Sequence, residues 1–159
     1  MDIQALSDTL EIHAALARYA RGVDDKDWEL WKTVFTPDAR VDYVSAGGSA
    51  GSRDEIADWL RDSLADFPMT QHYITNIEVD LDGDEAKVTA FFYNPMIFPG
   101  ATELSYCGGR YHHRFVRTPD GWKSRELIEH NQWFASPPGG FDPETSVVRR
   151  PHGVEEGAG

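Results

Sequence analysis

The chain has 159 residues, of which 40% are hydrophobic and 12% aromatic, enough for one packed core and too many for a disordered chain. Its 27 acidic residues against 15 basic ones give a formal net charge of −12, which argues against a phosphate backbone or an anionic membrane as the main partner. Cys107 is the single cysteine, so an intrachain disulfide and thiol-based metal clusters are excluded, and a neutral or weakly acidic small molecule is left as the expected ligand.

The residues after Met1 show neither a basic region nor an apolar one of signal-peptide type, and no apolar run is long enough for a bilayer. The expectation is a soluble, cytoplasmic protein. From Ala5 to about Gly22 the pattern is helical, with Ile12, Leu16, Tyr19 and Val23 stacked along one stripe. Asp2 and Ser7 are its capping candidates and Gly22 its stop. A second short helix is predicted from Asp25 to Phe35, capped by Asp25, buried through Trp28, Trp31 and Val34 or Phe35, and ended by Pro37. Arg40 to Val44 alternates like a short strand.

The glycine-rich stretch from Ala46 to Gly51 reads as a flexible pocket rim or lid. Ser52 to Glu55 is a capping box that opens a third helix through Ile56, Trp59, Leu60 and Leu64, closed by Pro68. Four long strands follow: Met69 to Leu81, Ala86 to Phe98, Thr102 to Thr118 and Trp122 to Phe134. Turns at Asp82-Gly83, Pro99-Gly100 and Pro119-Asp120-Gly121 separate them. Gly108-Gly109 marks a bulge. Residues 1–135 thus read as one domain and 136–159 as an extended tail.

Helices followed by long hairpin-linked strands specify an α+β fold with the helices on one face of the sheet. Strands this long must twist and coil, so the sheet curls into a cone whose interior is the natural pocket.

Polar residues on apolar elements are the candidates for chemistry. Asp24 directly follows the stripe of the first helix. His72 lies on the first long strand, on a face shared with Ile74 and Asn76. Tyr19 lies on the buried stripe, where a core role is the plain reading. Tyr43, Tyr106 and Tyr111 share that reading. His112 and His113 occupy opposite strand faces, so one of them should face the cone, and His130 and Asn131 pose the same question. A metal set of His72, His112 or His113 and Asp24 lacks any ligand-spacing motif, and the expectation is neither metal nor cofactor.

The segments Tyr19 to Asp24, Lys26-Asp27-Trp28, Arg40 to Tyr43, Thr70 to Tyr73 and Asp120-Gly121-Trp122 together resemble the SnoaL-like branch of the NTF2-like superfamily. The likeness covers roughly residues 5 to 135. It points to the group of scytalone dehydratase, bile acid 7α-dehydratase and hexachlorocyclohexane dehydrochlorinase. It implies the NTF2-like (cystatin-like) cone, with N-terminal helices on a strongly curved mixed or antiparallel sheet. It also implies a pairing of Asp24 with His72, a catalytic role for Tyr19, and a water-orienting role for Tyr43. His112 falls near a pocket asparagine. Val23, Leu127 and an apolar residue around Phe98 depart from that group's pattern, which argues against scytalone itself as substrate.

On this reading Asp24 orients His72, Nε2 of His72 takes a proton from carbon, and Tyr19 assists a leaving hydroxyl or an enolate. Trp28, Trp31, Phe67, Phe92, Met96 and Phe98 suit a hydrophobic, polycyclic or steroid-like substrate, with Tyr43, His112 and His130 as further binding residues. The expected activity is dehydratase-type elimination. The alternatives are an isomerase or cyclase and a non-catalytic binding protein. The resemblance also implies a homo-oligomer, a dimer or a trimer.

Overall fold

In the computed structural model, which describes residues 2–137, the first helix, α1, spans Ile3–Asp24. Asp2 caps it by accepting from the backbone N–H of Ala5, and the stripe Ile12, Leu16, Tyr19 and Val23 is buried. The chain then reverses through Lys26, whose φ of 55° is left-handed. Lys26 Nζ crosses to the carbonyls of Ala65 and Phe67, 3.0 Å from each. The second helix, α2, is only Trp28–Lys32, and Asp27 rather than Asp25 is its N-cap, accepting from Leu30 N at 2.9 Å. Asp25 instead closes α1, its N–H donating to Arg21. A side chain at the reversal caps the following helix only from the position next to its first turn.

Pro37 does not end a helix, because strand β1 already runs over Phe35–Asp42. Val34, Phe35 and Thr36 favour extended backbone. Pro37, which has no N–H to donate, lies within the register break between Phe35 and Arg40. A short 3₁₀ turn at Val44–Ala46 follows. Part of the expected rim is then strand β2, Ala50–Ser52, antiparallel to Arg40–Asp42. The capping box forms as read: Ser52 and Glu55 satisfy each other's backbone at the start of α3, Arg53–Ser63.

The first long strand is two strands, β3 at Met69–Thr70 and β4 at Tyr73–Asp82. β5 (Glu85–Ile97), β6 (Ser105–Thr118) and β7 (Gly121–Ala135) complete the sheet. Its order is β2-β1-β7-β6-β5-β3, with β4 also pairing β5. The β1–β7 pair is parallel and the others are antiparallel, so the sheet is mixed. The β6–β7 register shifts between Gly108 and Gly109, where the bulge was expected. A Cβ on Gly109 would lie 2.0 Å from the carbonyl oxygen of His130, so only glycine lets the two strands close at that bend.

The helices pack on the concave face of this sheet. Asp8 on α1 ties them to the β6–β7 hairpin, accepting two bonds of 2.8 Å from Arg117 and one of 3.0 Å from the Trp122 indole. Arg117, and then Trp122, hold the Asp8 carboxyl well below the usual range. The tail expected over 136–159 lies, beyond Pro137, outside the described residues. No helix among the described residues is long and apolar enough to cross a membrane.

Candidate functional site

Between the helices and the concave sheet lies a cavity of about 230 Å³. Its walls are mostly apolar: Val23 from α1, Trp59 and Leu60 from α3, Phe67, Phe92, Met96 and Phe134 from the long strands, and Phe98 just after β5. Ala46 supplies part of the rim, where the glycine-rich stretch was expected to do so.

At one wall the end of α1 meets the break between β3 and β4. His72 Nδ1 lies 2.6 Å from Asp24 Oδ1, and the backbone N–H of His72 donates to Asp24 Oδ2 at 2.7 Å. Thr70 Oγ1 donates to Oδ1 at 3.0 Å. This arrangement explains the strand break. The His72 N–H is drawn out of the ladder toward Asp24, and Pro95 on β5 has no N–H to offer the neighbouring residue. The Gln71 N–H bonds the Pro95 carbonyl and the Asn94 side chain instead. The shared face expected for His72, Ile74 and Asn76 therefore does not exist. His72 sits in the break, and Asn76 has a φ of 49° within a register shift between Thr75 and Glu78. With Nδ1–H directed at a carboxylate, the lone pair of the neutral ring is on Nε2. His72 and Thr70 both line the cavity.

Tyrosines form a second group. The hydroxyls of Tyr19 and Tyr43 are 2.7 Å apart. Tyr19 packs edge-on to Tyr111 at 5.3 Å, and Tyr111 stacks on Phe92 at 4.5 Å. Burial pushes all three phenols well above their ordinary pKa, so they serve as neutral donors and not as anions.

A third group lies on β6 and β7. Glu129 and Asn131 project into the cavity beside Cys107 and Asn94. Burial, followed by the charge of Asp42, pushes the Glu129 carboxyl up to about 8, against a lowering by Asn131. Burial likewise pushes the Cys107 thiol up to about 12, which makes it inert as a nucleophile. Glu129, Thr70, Asn94 and Cys107 were not among the site residues expected from the sequence. The alternation Leu127, Glu129, Asn131 on the last strand was the available signal for the first.

Four expected binding residues lie elsewhere. Trp28 and Trp31 are buried in the core and do not line the cavity. His112 and His130 are on the opposite face of the sheet, packed edge-on at 4.9 Å, because Tyr111 and His113 take the concave side of β6. His113 is in the core, bonded through Nδ1 to Ser124 Oγ at 2.9 Å, and is not at the cavity wall. His112, His113 and His130 thus do not join His72 at Asp24, and among the described residues no three His, Cys, Asp or Glu side chains cluster as a metal site would require.

Comparison with known proteins agrees with this fold. A family model described as a SnoaL-like domain matches residues 4–128. The uncharacterized protein Rv2910c of Mycobacterium tuberculosis is 38% identical over 130 residues, covering 81% of this chain and 88% of that one. Among solved structures, the Kfla4162 protein of Kribbella flavida superposes with a TM-score of 0.76 at 26% identity, over 82% of this chain and 95% of that one. A candidate scytalone dehydratase of Novosphingobium aromaticivorans has a TM-score of 0.80 at 18% identity, over 98% and 100%. A type 2 hexachlorocyclohexane dehydrochlorinase (LinA) gives 0.76 at 18%, over 87% and 99%. The last two show that the fold is shared.

Proposed function

The chain belongs to the SnoaL-like domain family of NTF2-like proteins, and on that premise we propose that it is a cofactor-independent lyase that eliminates water, or another β-leaving group, from a hydrophobic small molecule. The observation that carries this reading is the contact of 2.6 Å between His72 Nδ1 and Asp24 Oδ1 at the wall of an apolar cavity. Asp24 holds the ring in the tautomer whose Nε2 accepts a proton, and it stabilises the imidazolium that forms. The C–H electron pair becomes the new double bond, the C–O bond breaks, and the hydroxyl leaves as water with the proton that His72 took from carbon, while the neutral Tyr19 and Tyr43 hydroxyls hydrogen-bond the substrate oxygen. The names of the candidate scytalone dehydratase and the dehydrochlorinase, both eliminating enzymes, support the reaction class.

The cavity, at about 230 Å³, is below the roughly 300–1,000 Å³ common for drug-sized ligands. That size favours a compact ring system over a full steroid. The outer face of the sheet is aromatic, and it pairs the chain with a second copy.

Mass spectrometry of products from a panel of cyclic β-hydroxy ketones tests the proposal. His72→Ala and Asp24→Asn should each lower kcat/KM by about 10²-fold or more with unchanged circular dichroism. Full turnover in either variant refutes the assignment. The paired neutral hydroxyls of Tyr19 and Tyr43 also suit an enolate, which favours isomerisation or cyclisation as the second reading. A product of unchanged mass would select it.

A further inference from the structure

Glu129 has no part in the proton transfer just described, yet it is the acidic side chain most deeply set in the cavity wall. It sits on the concave face of β7, 7% exposed. The groups that face it come from four elements: Tyr19 on α1, Asp42 and Tyr43 at the end of β1, Cys107 and Tyr111 on β6, and Asn131 on its own strand. None of these carries positive charge, and no lysine or arginine lines the cavity among the described residues. His72, the other titratable group there, is held between β3 and β4. In the sheet that is three strand positions from β7, at the far wall.

A carboxylate in such surroundings is an unpaired charge in an apolar wall, so it is held as the neutral acid. Consistent with this, burial pushes its pKa to about 8. The sign of its effect on folding follows. The ordinary carboxyl value is 4.5 and the folded value about 8, so the folded state binds the proton more tightly. Stability is therefore lost as pH rises across that window. A glutamine or leucine would remove that loss. A side chain that opposes stability while lining a cavity belongs with ligand recognition.

We propose that Glu129 is a substrate-recognition residue whose carboxyl O–H donates a hydrogen bond to a neutral oxygen, such as a ketone or ester carbonyl, at the end of an apolar ligand remote from His72. An acid kept neutral by an apolar site is a strong donor to such an oxygen. The same wall excludes anionic ligands, because no cation answers them. It gives no advantage to an ammonium, which would need the carboxylate. The placement of the reacting end rests on the lyase reading; the recognition by Glu129 stands on the cavity alone.

The test uses acetonaphthone, an apolar ketone of two fused rings, and naphthylmethylamine of similar shape, with binding to the full chain followed by calorimetry. In the unmodified protein the Kd of acetonaphthone should rise about tenfold between about pH 7 and about pH 9, as an acid with a pKa of about 8 loses its proton. Glu129→Gln, which keeps an N–H donor, should bind the ketone equally at both pH values. Glu129→Leu should bind it weakly at both. His72→Ala should keep the pH dependence of the unmodified protein, so failure of the base assignment leaves this result untouched. A ketone affinity that is flat with pH in the unmodified protein, or undetectable, overturns the proposal. So does tighter binding of the amine that is lost in Glu129→Gln. Infrared difference spectra give a readout without ligand. A protonated-carboxyl band that titrates near pH 8 and is absent from Glu129→Gln supports the proposal, and its absence at about pH 6 overturns it.

Discussion

Two histidines from one sequence end in opposite electrostatic situations, and the residue scale explains both. His72 meets a carboxylate, whereas His113 is enclosed by Tyr19, Phe35, Tyr111 and Phe115 and has Ser124 as its polar partner. Its Nε2 is buried without a hydrogen bond. Burial, then the charge of His112, lowers its pKa from 6.5 to about 3. The unfolded chain therefore binds the proton that the folded one refuses. The stability tied to His113 is complete above pH 6.5 and is lost as pH falls toward 3. Each unit in that window costs about 1.4 kcal/mol. Between about pH 7 and about pH 4.5 the protein should lose about 2–3 kcal/mol more than His113→Phe does. Guanidinium denaturation at the two pH values measures this difference, and parallel losses in both proteins would show that His113 does not titrate on unfolding. At this scale Asp24 and His72 were legible because a carboxylate ends an apolar helix stripe and family likeness supplied its partner. Glu129 was not, because a glutamate on a strand reads as solvent-facing until the concave side is known. The same ambiguity placed His112 and His130 in the cavity: alternation separates two faces without saying which one curls inward.

The elements place Asp24 at the cavity through one close approach. Gly22 on α1 packs on the backbone of Trp31, and an added Cβ would lie 2.8 Å from its nitrogen. Trp31 is fully buried, so α2 cannot yield by moving outward without opening the core. Gly22→Ala gains helix propensity of roughly 1 kcal/mol and meets overpacking of about 1–3 kcal/mol. The second effect should win, giving net destabilisation of up to about 2 kcal/mol in thermal or denaturant unfolding. An unchanged or raised stability would mean that α2 shifts freely. Any such shift also moves the turn through Lys26, which anchors the carbonyls of Ala65 and Phe67, and hence the approach to His72. The start of the third helix was legible to the residue, since its capping box is local chemistry, whereas its end at Ser63 precedes the expected stop at Pro68. The second helix and β1 were misdivided, because Trp31, Val34 and Phe35 fit a buried helical face as well as the start of a strand. Only the pairing of β1 with β7 decides between the two. Similarly, the break at His72 depends on Asp24, which lies 48 residues earlier in the chain, and no local pattern reports it.

For the molecule as a whole, the sheet has one face covered by helices and one that no element covers among the described residues. On the bare side Tyr73 is 47% exposed, Tyr93 40%, Phe91 37%, Trp133 45% and Ile128 37%. Tyr93 bridges Tyr106 and Trp133 by stacking at 6.1 Å, and Arg110 lies 4.7 Å over the Phe91 ring. A contiguous apolar strip of this kind is uncommon on a lone soluble chain. Aromatic, aliphatic, arginine and histidine side chains make up its centre, and Glu126 beside Ile128 is paired with Arg114 at 3.0 Å, although the chain carries a formal net charge of −12. Two copies can therefore meet there with their acidic surfaces held apart. In the proposed assembly this face contacts its own copy, an isologous contact that makes it a twofold dimer. The cavities lie on the other side of each sheet, so such a dimer leaves both of them accessible. Phe91→Glu combined with Trp133→Glu would place unpaired carboxylates in the contact. Sedimentation equilibrium should show a dimer for the unmodified chain and a monomer for this variant at the same concentration. Acetonaphthone binding should persist in the monomer, because no residue of this face lines the cavity. A unmodified chain that sediments as a monomer, or a variant that stays dimeric, would place the interface elsewhere or remove it.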